Sequence, residues 1–260
     1  MTNLSFSFFD LEYFLLILVR VSCFVFVAPF FSMNNTPRQV RIALSVFTSL
    51  LLYTTLTPDE GVVYDSVVSY AVIVGKEAVT GLLIGFAANI CTAIVNFAGS
   101  IADMETGLSM VTLMDPANRT QSSVTGVYFQ YVVMMMLIAS GMYRYLLGAL
   151  ADSFLLIPVN GGALRGENLL SSIVMFLGDY ITIGFRICLP VFCVILLLNV
   201  VLGVLAKVAP QLNMFAVGIQ LKILIGMSVL FLTTGMLSGA SSFIFNEIRK
   251  LTVSFVEGMM

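Results

Sequence analysis

The chain is organised as a series of long apolar segments separated by short polar stretches. A helix that crosses a bilayer needs about 20 mostly apolar residues, and about six segments approach or exceed that length. They run over residues 11–31, 42–56, 67–98, 124–150, 173–208 and 214–245. This pattern predicts an all-α, integral membrane-type protein that forms a single helical domain over residues 1–260.

Two of these segments, residues 67–98 and 173–208, are too long for one untilted span. Each contains charged residues and either several glycines or a proline, so each could be a helical hairpin in place of one long helix. Broken helices at membrane depth are tolerated only where protein or a water-filled cavity surrounds them. The two segments therefore indicate a packed assembly or a channel.

The composition supports a membrane protein and disfavours most enzymatic chemistry. Hydrophobic residues make up 59% of the chain and charged residues 10%, whereas a soluble domain carries about 25% charged residues. The net charge of −2 disfavours a nucleic-acid partner. The chain has no histidine, and its four cysteines lie in apolar runs without a CxxC pair. We therefore expect no catalytic site, no metal site and no cofactor.

Among the charged residues that interrupt the apolar segments, we single out five, because charges there are costly and often functional. They are Lys76, Glu77, Asp179, Arg186 and Lys222. One interpretation is that each finds a partner on a neighbouring helix. The other is a proton relay that uses Glu77 or Asp179. Because Asp179 and Arg186 are seven positions apart, they lie on one helical face and could share a polar cavity.

Gly81 and Gly85 form a GxxxG pair in the third segment. Small residues at this spacing let two helix backbones approach closely, so the pair is a candidate helix–helix interface. Chance is the alternative, because glycine is frequent in membrane helices.

The longest polar stretch, residues 99–123, carries an unusual number of methionines. Methionine is flexible and fills irregular gaps, so a loop rich in it could close an opening and still deform. Composition alone favours a simpler interpretation, namely a re-entrant or surface loop.

A second marked segment joins the fifth and sixth apolar runs. Pro210 is expected to break or kink the fifth helix, and Asn213 is a plausible N-cap for the sixth. A tight turn between two helices would also explain both residues.

Taken together, these segments resemble the FliR family of flagellar protein-export gates, whose injectisome relatives are called SctT. The resemblance covers nearly the whole chain. It rests on Arg20, Pro29, Phe30 and residues 37–41, on Glu77, Gly81 and Gly85, on Gly107, Leu108, Ser109, Met110, Asp115 and Pro116, on Ser153, Pro158 and Pro190, and on residues 210–215, Gly218 and Lys222.

The resemblance implies a structural subunit and not an enzyme. Proteins of this family assemble with FliP and FliQ into a helical gate at the centre of the flagellar basal body in the inner membrane. The gate passes unfolded flagellar subunits, and FlhB contacts it. The implied partners are thus FliP-like, FliQ-like and FlhB-like subunits, the exported chains and the membrane.

The resemblance also implies a pore plug and a set of packing positions. The plug residues would be Gly107, Leu108, Ser109, Met110, Leu113, Met114, Asp115 and Pro116, with Met110, Leu113 and Met114 as the sealing side chains. A glycine hinge at Gly107 and a stiff Asp115–Pro116 step suit such a loop. The packing positions would be Glu77, Gly81, Gly85, Pro210, Gln211, Asn213, Phe215, Gly218 and Lys222.

Two other functions remain open at this point. The sequence barely separates a flagellar gate subunit from its injectisome counterpart. A proton-coupled secondary transporter is a more distant alternative, because such transporters usually contain paired repeats and this chain shows no convincing internal symmetry.

Overall fold

The computed structural model describes residues 8–32, 36–56, 64, 66–110, 113–114, 121–161, 166–209, 211 and 213–259. Over these residues the regular structure consists of α-helices, two 3₁₀ turns and one pair of short antiparallel strands. The helices are α1 (Phe8–Val27), α2 (Arg38–Thr55), α3 (Val67–Thr106), α4 (Val124–Ala139), α5 (Met142–Leu156), α6 (Gly166–Val208), α7 (Met214–Thr233) and α8 (Leu237–Glu257). This confirms the predicted all-α, membrane-type fold.

The two overlong segments are single continuous helices. α3 has 40 residues and α6 has 43, so at about 1.5 Å per residue each is roughly 60 Å long. The suggestion that either forms a helical hairpin is therefore wrong. Pro190 lies inside α6 without ending it, because neighbouring helices can compensate for the lost backbone hydrogen bond of a proline.

The fourth and sixth segments are the ones that break. α4 and α5 meet at a bend of 67°, where Gly141 has φ +80°, a conformation that glycine adopts without strain. A 3₁₀ turn over Thr234–Met236 separates α7 from α8. The sequence predicted one uninterrupted segment at each place, because apolar content does not register a break of two or three residues.

Fewer helices can cross a membrane than the six apolar segments suggest. Among the described residues, α3, α6 and Ala216–Thr233 of α7 are long and apolar enough to do so. The bent pair α4–α5 would make a fourth span if it were counted as one.

The chain divides into two compact units, and α3, α6 and α8 each contribute to both. Unit 1 contains residues 1–90, 141–176 and 247–260, and unit 2 contains residues 91–140 and 177–246. Buried residues of unit 1 include Leu16, Phe24, Ile84, Leu146 and Phe255, and those of unit 2 include Ile94, Phe129, Leu137, Ile195 and Ile244. The single domain over residues 1–260 stays a prediction.

Candidate functional site

A buried ion pair joins α1 to α3 in unit 1. Nε of Arg20 lies 2.6 Å from Oε2 of Glu77, and both side chains are at most 2% exposed. Charged groups of this kind are rarely buried unless they are paired, because removing a charge from water is expensive. The pair therefore fixes the position of α1 on α3 only while both partners are present.

The rest of the Arg20 guanidinium binds the end of α5. Nη1 donates to the carbonyl oxygens of Ser153 and Ile157, each at 3.1 Å, and Nη2 donates to that of Ile157 at 3.1 Å. The ring of Phe154 lies 4.1 Å from the guanidinium carbon. The carbonyls at the C-terminal end of a helix carry partial negative charge, so a cation stabilises them.

Glu77 completes the cluster with its other oxygen. Oε1 accepts a hydrogen bond of 3.1 Å from the backbone N–H of Asn160, in the turn after α5. We call Arg20, Glu77, Ser153, Ile157 and Asn160 the Arg20 cluster. Both oxygens of Glu77 have partners in it, which matches the interpretation that charges in the apolar runs find partners on neighbouring elements.

The GxxxG pair lies against the backbone of α1. A Cβ atom at Gly81 would overlap the carbonyl oxygen of Arg20, and one at Gly85 would lie 2.9 Å from that of Phe24. Ordinary side-chain contacts are longer than this, so only glycine allows α3 to approach α1 this closely. The close approach made by this pair is thus within the chain itself.

We expect Gly81→Ala to destabilise the protein by about 1–3 kcal/mol, because the added methyl group must push α1 away. Gly75→Ala, in the same helix, is the matched control, since a Cβ atom there meets nothing within 4 Å. That control is expected to be neutral or to stabilise slightly, by up to about 1 kcal/mol. Thermal unfolding of both variants in detergent measures the difference. Equal melting temperatures would contradict the close approach.

In unit 2, the predicted plug loop connects the end of α3 to the start of α4, and hydrogen bonds join these two helix ends. Asp103, in the last turn of α3, is 1% exposed. Its carboxylate accepts hydrogen bonds from the backbone N–H of Thr125, at 3.2 and 3.3 Å, and from the Thr125 hydroxyl. Thr125 lies in the first turn of α4, where unpaired N–H groups favour an anion.

Two close contacts between helices lie beside the hydrogen bonds of Asp103 with Thr125. A Cβ atom at Gly99 of α3 would overlap the backbone of Gly126 in α4, and one at Gly226 of α7 would press on the Thr106 side chain. Ser123 caps α4 by accepting a hydrogen bond of 2.9 Å from the N–H of Gly126. We call the contact between Asp103 and Thr125, together with that between Gly99 and Gly126, the loop base.

Between Asp103 and Thr125, the described residues form a 3₁₀ turn and a pair of short strands. Gly107 ends α3 with φ +82°, and Leu108–Met110 form a 3₁₀ turn. Strands β1 (Leu113–Met114) and β2 (Gln121–Ser122) pair in antiparallel register, with Leu113 opposite Ser122. The sequence placed the start of the polar stretch at Gly99, whereas helix α3 continues to Thr106.

Part of the predicted plug lies outside the described residues. This applies to Asp115 and Pro116 and to the side chains of Met110, Leu113 and Met114. The sealing role of the last three stays a prediction.

The predicted helix start at Asn213 is confirmed. Asn213 is the N-cap of α7, and its Oδ1 accepts a hydrogen bond of 3.4 Å from the N–H of Ala216. α6 ends at Val208, two residues before Pro210. Pro210 itself and the side chain of Phe215 lie outside the described residues.

The remaining predicted packing positions differ in their surroundings. Gln211 is exposed in the turn before α7, and Lys222 is half-buried in the middle of that helix. Gly218 is buried, and a Cβ atom there would lie 3.6 Å from the Leu202 side chain of α6. These positions belong to unit 2, whereas Glu77, Gly81 and Gly85 belong to unit 1.

Of Asp179 and Arg186, only Arg186 lines the apolar cavity that the structure shows in unit 2. The guanidinium of Arg186 lies 4.7 Å from the ring centre of Phe243 in α8, beside an apolar cavity. Asp179, two turns earlier in α6, is not among the residues that line this cavity.

Comparison with known proteins identifies the family. Residues 11–248 match the family model described as bacterial export proteins, family 1. The chain belongs to this family. The match begins in α1 and ends in α8, so it includes the Arg20 cluster, the loop base and the predicted plug loop. An export protein with three or four helices able to cross a membrane is a membrane-embedded component of its export system.

Several curated members of the family are similar over most of the chain. The flagellar biosynthetic protein FliR of Bacillus subtilis is 29% identical over 219 residues, which is 84% of each chain. That of Escherichia coli is 25% identical over 92% of this chain and 90% of its own. That of Aquifex aeolicus is 28% identical over 92% and 91%.

The sequence analysis did not identify Asp103, whose carboxylate joins the ends of α3 and α4. Asp103 was part of the polar stretch but had no role assigned to it, because its partner Thr125 lies 22 residues away across the loop. A signal was present, since Ser123 is a good N-cap residue and a helix that begins there offers free N–H groups to a nearby carboxylate. The sequence analysis named Arg20 only as one of the residues that carry the family resemblance.

Proposed function

We propose that this chain is a structural subunit of the flagellar type III protein-export gate, in the inner membrane at the basal body. It helps to form the channel through which unfolded flagellar subunits pass, and the loop from Gly107 to Pro116 plugs that channel. The chain performs no catalysis in this role. Its neighbours are FliP-like and FliQ-like gate subunits and an FlhB-like protein.

The family supports a role in protein export, and the names of the similar proteins support a role in the flagellar system. The three relatives described above are flagellar biosynthetic proteins that align with most of this chain. This favours the flagellar export gate over the injectisome gate.

The observation that carries the proposal is that the loop base joins the two helix ends, of α3 and α4, which the predicted plug loop connects. The loop base holds the end of α3 to the start of α4 through residues that all lie outside the proposed plug, so this connection does not depend on the plug residues. A channel for unfolded polypeptides needs such a part. An apolar, deformable closure excludes ions when shut and yields when a chain pushes against it.

The surface of α6 supports a role within an assembly. Large apolar side chains are exposed along much of this helix, including those of Leu177, Ile181, Leu189, Leu197 and Val204. Since α6 is roughly 60 Å long and a bilayer core is about 30 Å thick, lipid can cover only about half of it. Partner helices such as those of FliP-like and FliQ-like subunits would cover the remainder.

The surroundings of Glu77 argue against a proton-coupled transporter that uses this residue. A proton carrier must alternate between charged and neutral forms, and here a buried guanidinium and a backbone N–H both bind the charged form. Both contacts hold Glu77 against fixed groups of α1 and of the turn after α5, which is the geometry of a structural ion pair.

A pull-down from the native host in mild detergent tests the proposal. We expect the tagged full-length chain to co-purify with FliP-like and FliQ-like proteins, because so much apolar surface needs partners. An unrelated multi-pass membrane protein with the same tag is the control and should recover neither. A well-behaved monomer that moves a solute into liposomes would contradict the gate and favour the transporter.

A further inference from the structure

Unit 2 contains an apolar cavity of about 340 Å³ that no part of the proposed gate function explains. It lies where α4, α6 and the break between α7 and α8 meet. Its lining comprises Phe129, Ile183, Ile187, Pro190, Thr233, Leu237, Gly239, Ala240 and Phe243, with Arg186 as the one charged member. The volume falls within the range of ordinary ligand pockets, about 300–1,000 Å³.

Arg186 brings an uncompensated positive charge to this cavity. Its guanidinium lies 4.7 Å from the ring centre of Phe243, and the side chain is exposed. Within the part of the chain that the structure describes, it forms no ion pair and no hydrogen bond. Stacking on a ring leaves the N–H groups at the edge of the guanidinium available, and two of them fit a phosphate group.

The position of Arg186 in α6 matches the depth of lipid headgroups. Residues 187–206 contain no charged residue, and Lys207 follows them. Twenty helical residues extend about 30 Å, which is the thickness of the hydrocarbon core. Arg186 and Lys207 therefore bound a stretch that fits one bilayer core, which puts Arg186 at one interface with its cavity on the apolar side.

We propose that this cavity is a binding site for one anionic phospholipid. The phosphate binds the edge of the Arg186 guanidinium, and acyl-chain carbons fill the apolar space near Gly239 and Ala240. An Arg in apolar surroundings is stable only with a partner, and anionic lipid is the anion that a membrane supplies at this depth. The inference goes beyond the proposed gate function and does not depend on it.

Lipid retention by the purified full-length chain, together with any subunits that co-purify, tests this site. The protein is mixed with phosphatidylglycerol or phosphatidylcholine of identical acyl chains, and native mass spectrometry measures the bound lipid. We expect the wild type to prefer phosphatidylglycerol and Arg186→Gln to weaken its binding roughly ten- to a hundredfold, the effect of losing a charged hydrogen bond. Arg186→Lys should keep part of the preference.

Two further variants separate headgroup recognition from the cavity and from net charge. Gly239→Leu should block both lipids while leaving Arg186 in place, since a Cβ atom at Gly239 points into open space. Arg144→Gln, which removes another exposed arginine stacked on a ring, should change nothing.

Three outcomes would overturn the proposal. The first is equal binding of phosphatidylglycerol by wild type and Arg186→Gln. The second is equal binding of the two lipids by the wild type. The third is a carboxylate of a partner subunit cross-linked to the cavity in the assembled complex, which would make Arg186 a protein–protein contact. The first two leave the result of the pull-down unchanged, and the third requires the partners that the pull-down detects, so the lipid site can fail while the gate proposal stands.

Discussion

Glu77→Leu lowers the free energy of unfolding by about 3–5 kcal/mol, the largest effect that we expect from a single side chain. The substitution leaves the Arg20 guanidinium buried without its counter-charge, and an uncompensated buried charge is far more costly than a missing pair. Unfolding of the purified chain in detergent, followed by circular dichroism, measures the loss. Glu167→Gln, at an exposed carboxylate, is the control and should change stability by no more than about 0.5 kcal/mol.

A double substitution separates charge burial from packing. Arg20→Met with Glu77→Leu removes both charges, so its cost should fall short of the sum of the two single costs by about 1–3 kcal/mol. It should not restore full stability, since the carbonyl oxygen of Ile157 loses the two N–H groups of Arg20 that donate to it. Additive costs would mean that Arg20 and Glu77 act independently, contrary to the 2.6 Å contact.

Removing residues 107–116 makes the membrane leaky in cells that assemble the complete gate. The deletion removes the predicted plug and strand β1, but it leaves Asp103 and Thr125 in place, so the helix ends stay tied. Each 1.4 kcal/mol of barrier lost raises passage about tenfold, and we expect at least that increase in small-ion leak. Ion flux across inverted membrane vesicles measures it.

The control for this deletion is a second linker of the same chain. Replacing residues 57–65, between α2 and α3, by a Gly/Ser linker of equal length also disturbs a connection between two helices. It should leave the leak unchanged. If the gate assembles and both variants leak equally, or neither does, then the loop from Gly107 to Pro116 is not the closure.

The sequence was informative wherever a property is local. Apolar length predicted the six helical regions, although not the breaks inside two of them, and the N-cap chemistry of Asn213 located the start of α7. The same information was insufficient at Ser140–Gly141, where two residues without distinctive hydropathy bend the chain by 67°. It was also insufficient in α3 and α6, where an internal charge or proline suggested a break that packing removes.

The site could not be assembled from the sequence because its contacts are long-range. Arg20 and Glu77 are 57 positions apart, and Arg20 and Ile157 are 137 apart. The sequence around Arg20 does not indicate which helix Arg20 will contact, and the same is true of the sequence around Glu77. The family resemblance gave the names of several residues, including Arg20, Glu77 and Ser153, but not the contacts that join them.

The spacing within the Arg20 cluster has a consequence for biosynthesis. At about 5–20 residues per second, the ribosome needs roughly 7–30 s after making Arg20 to complete Ile157. Throughout that interval the guanidinium lacks its final acceptors. The first helix to be synthesised in the described chain therefore reaches its complete set of contacts only after α5 has been made.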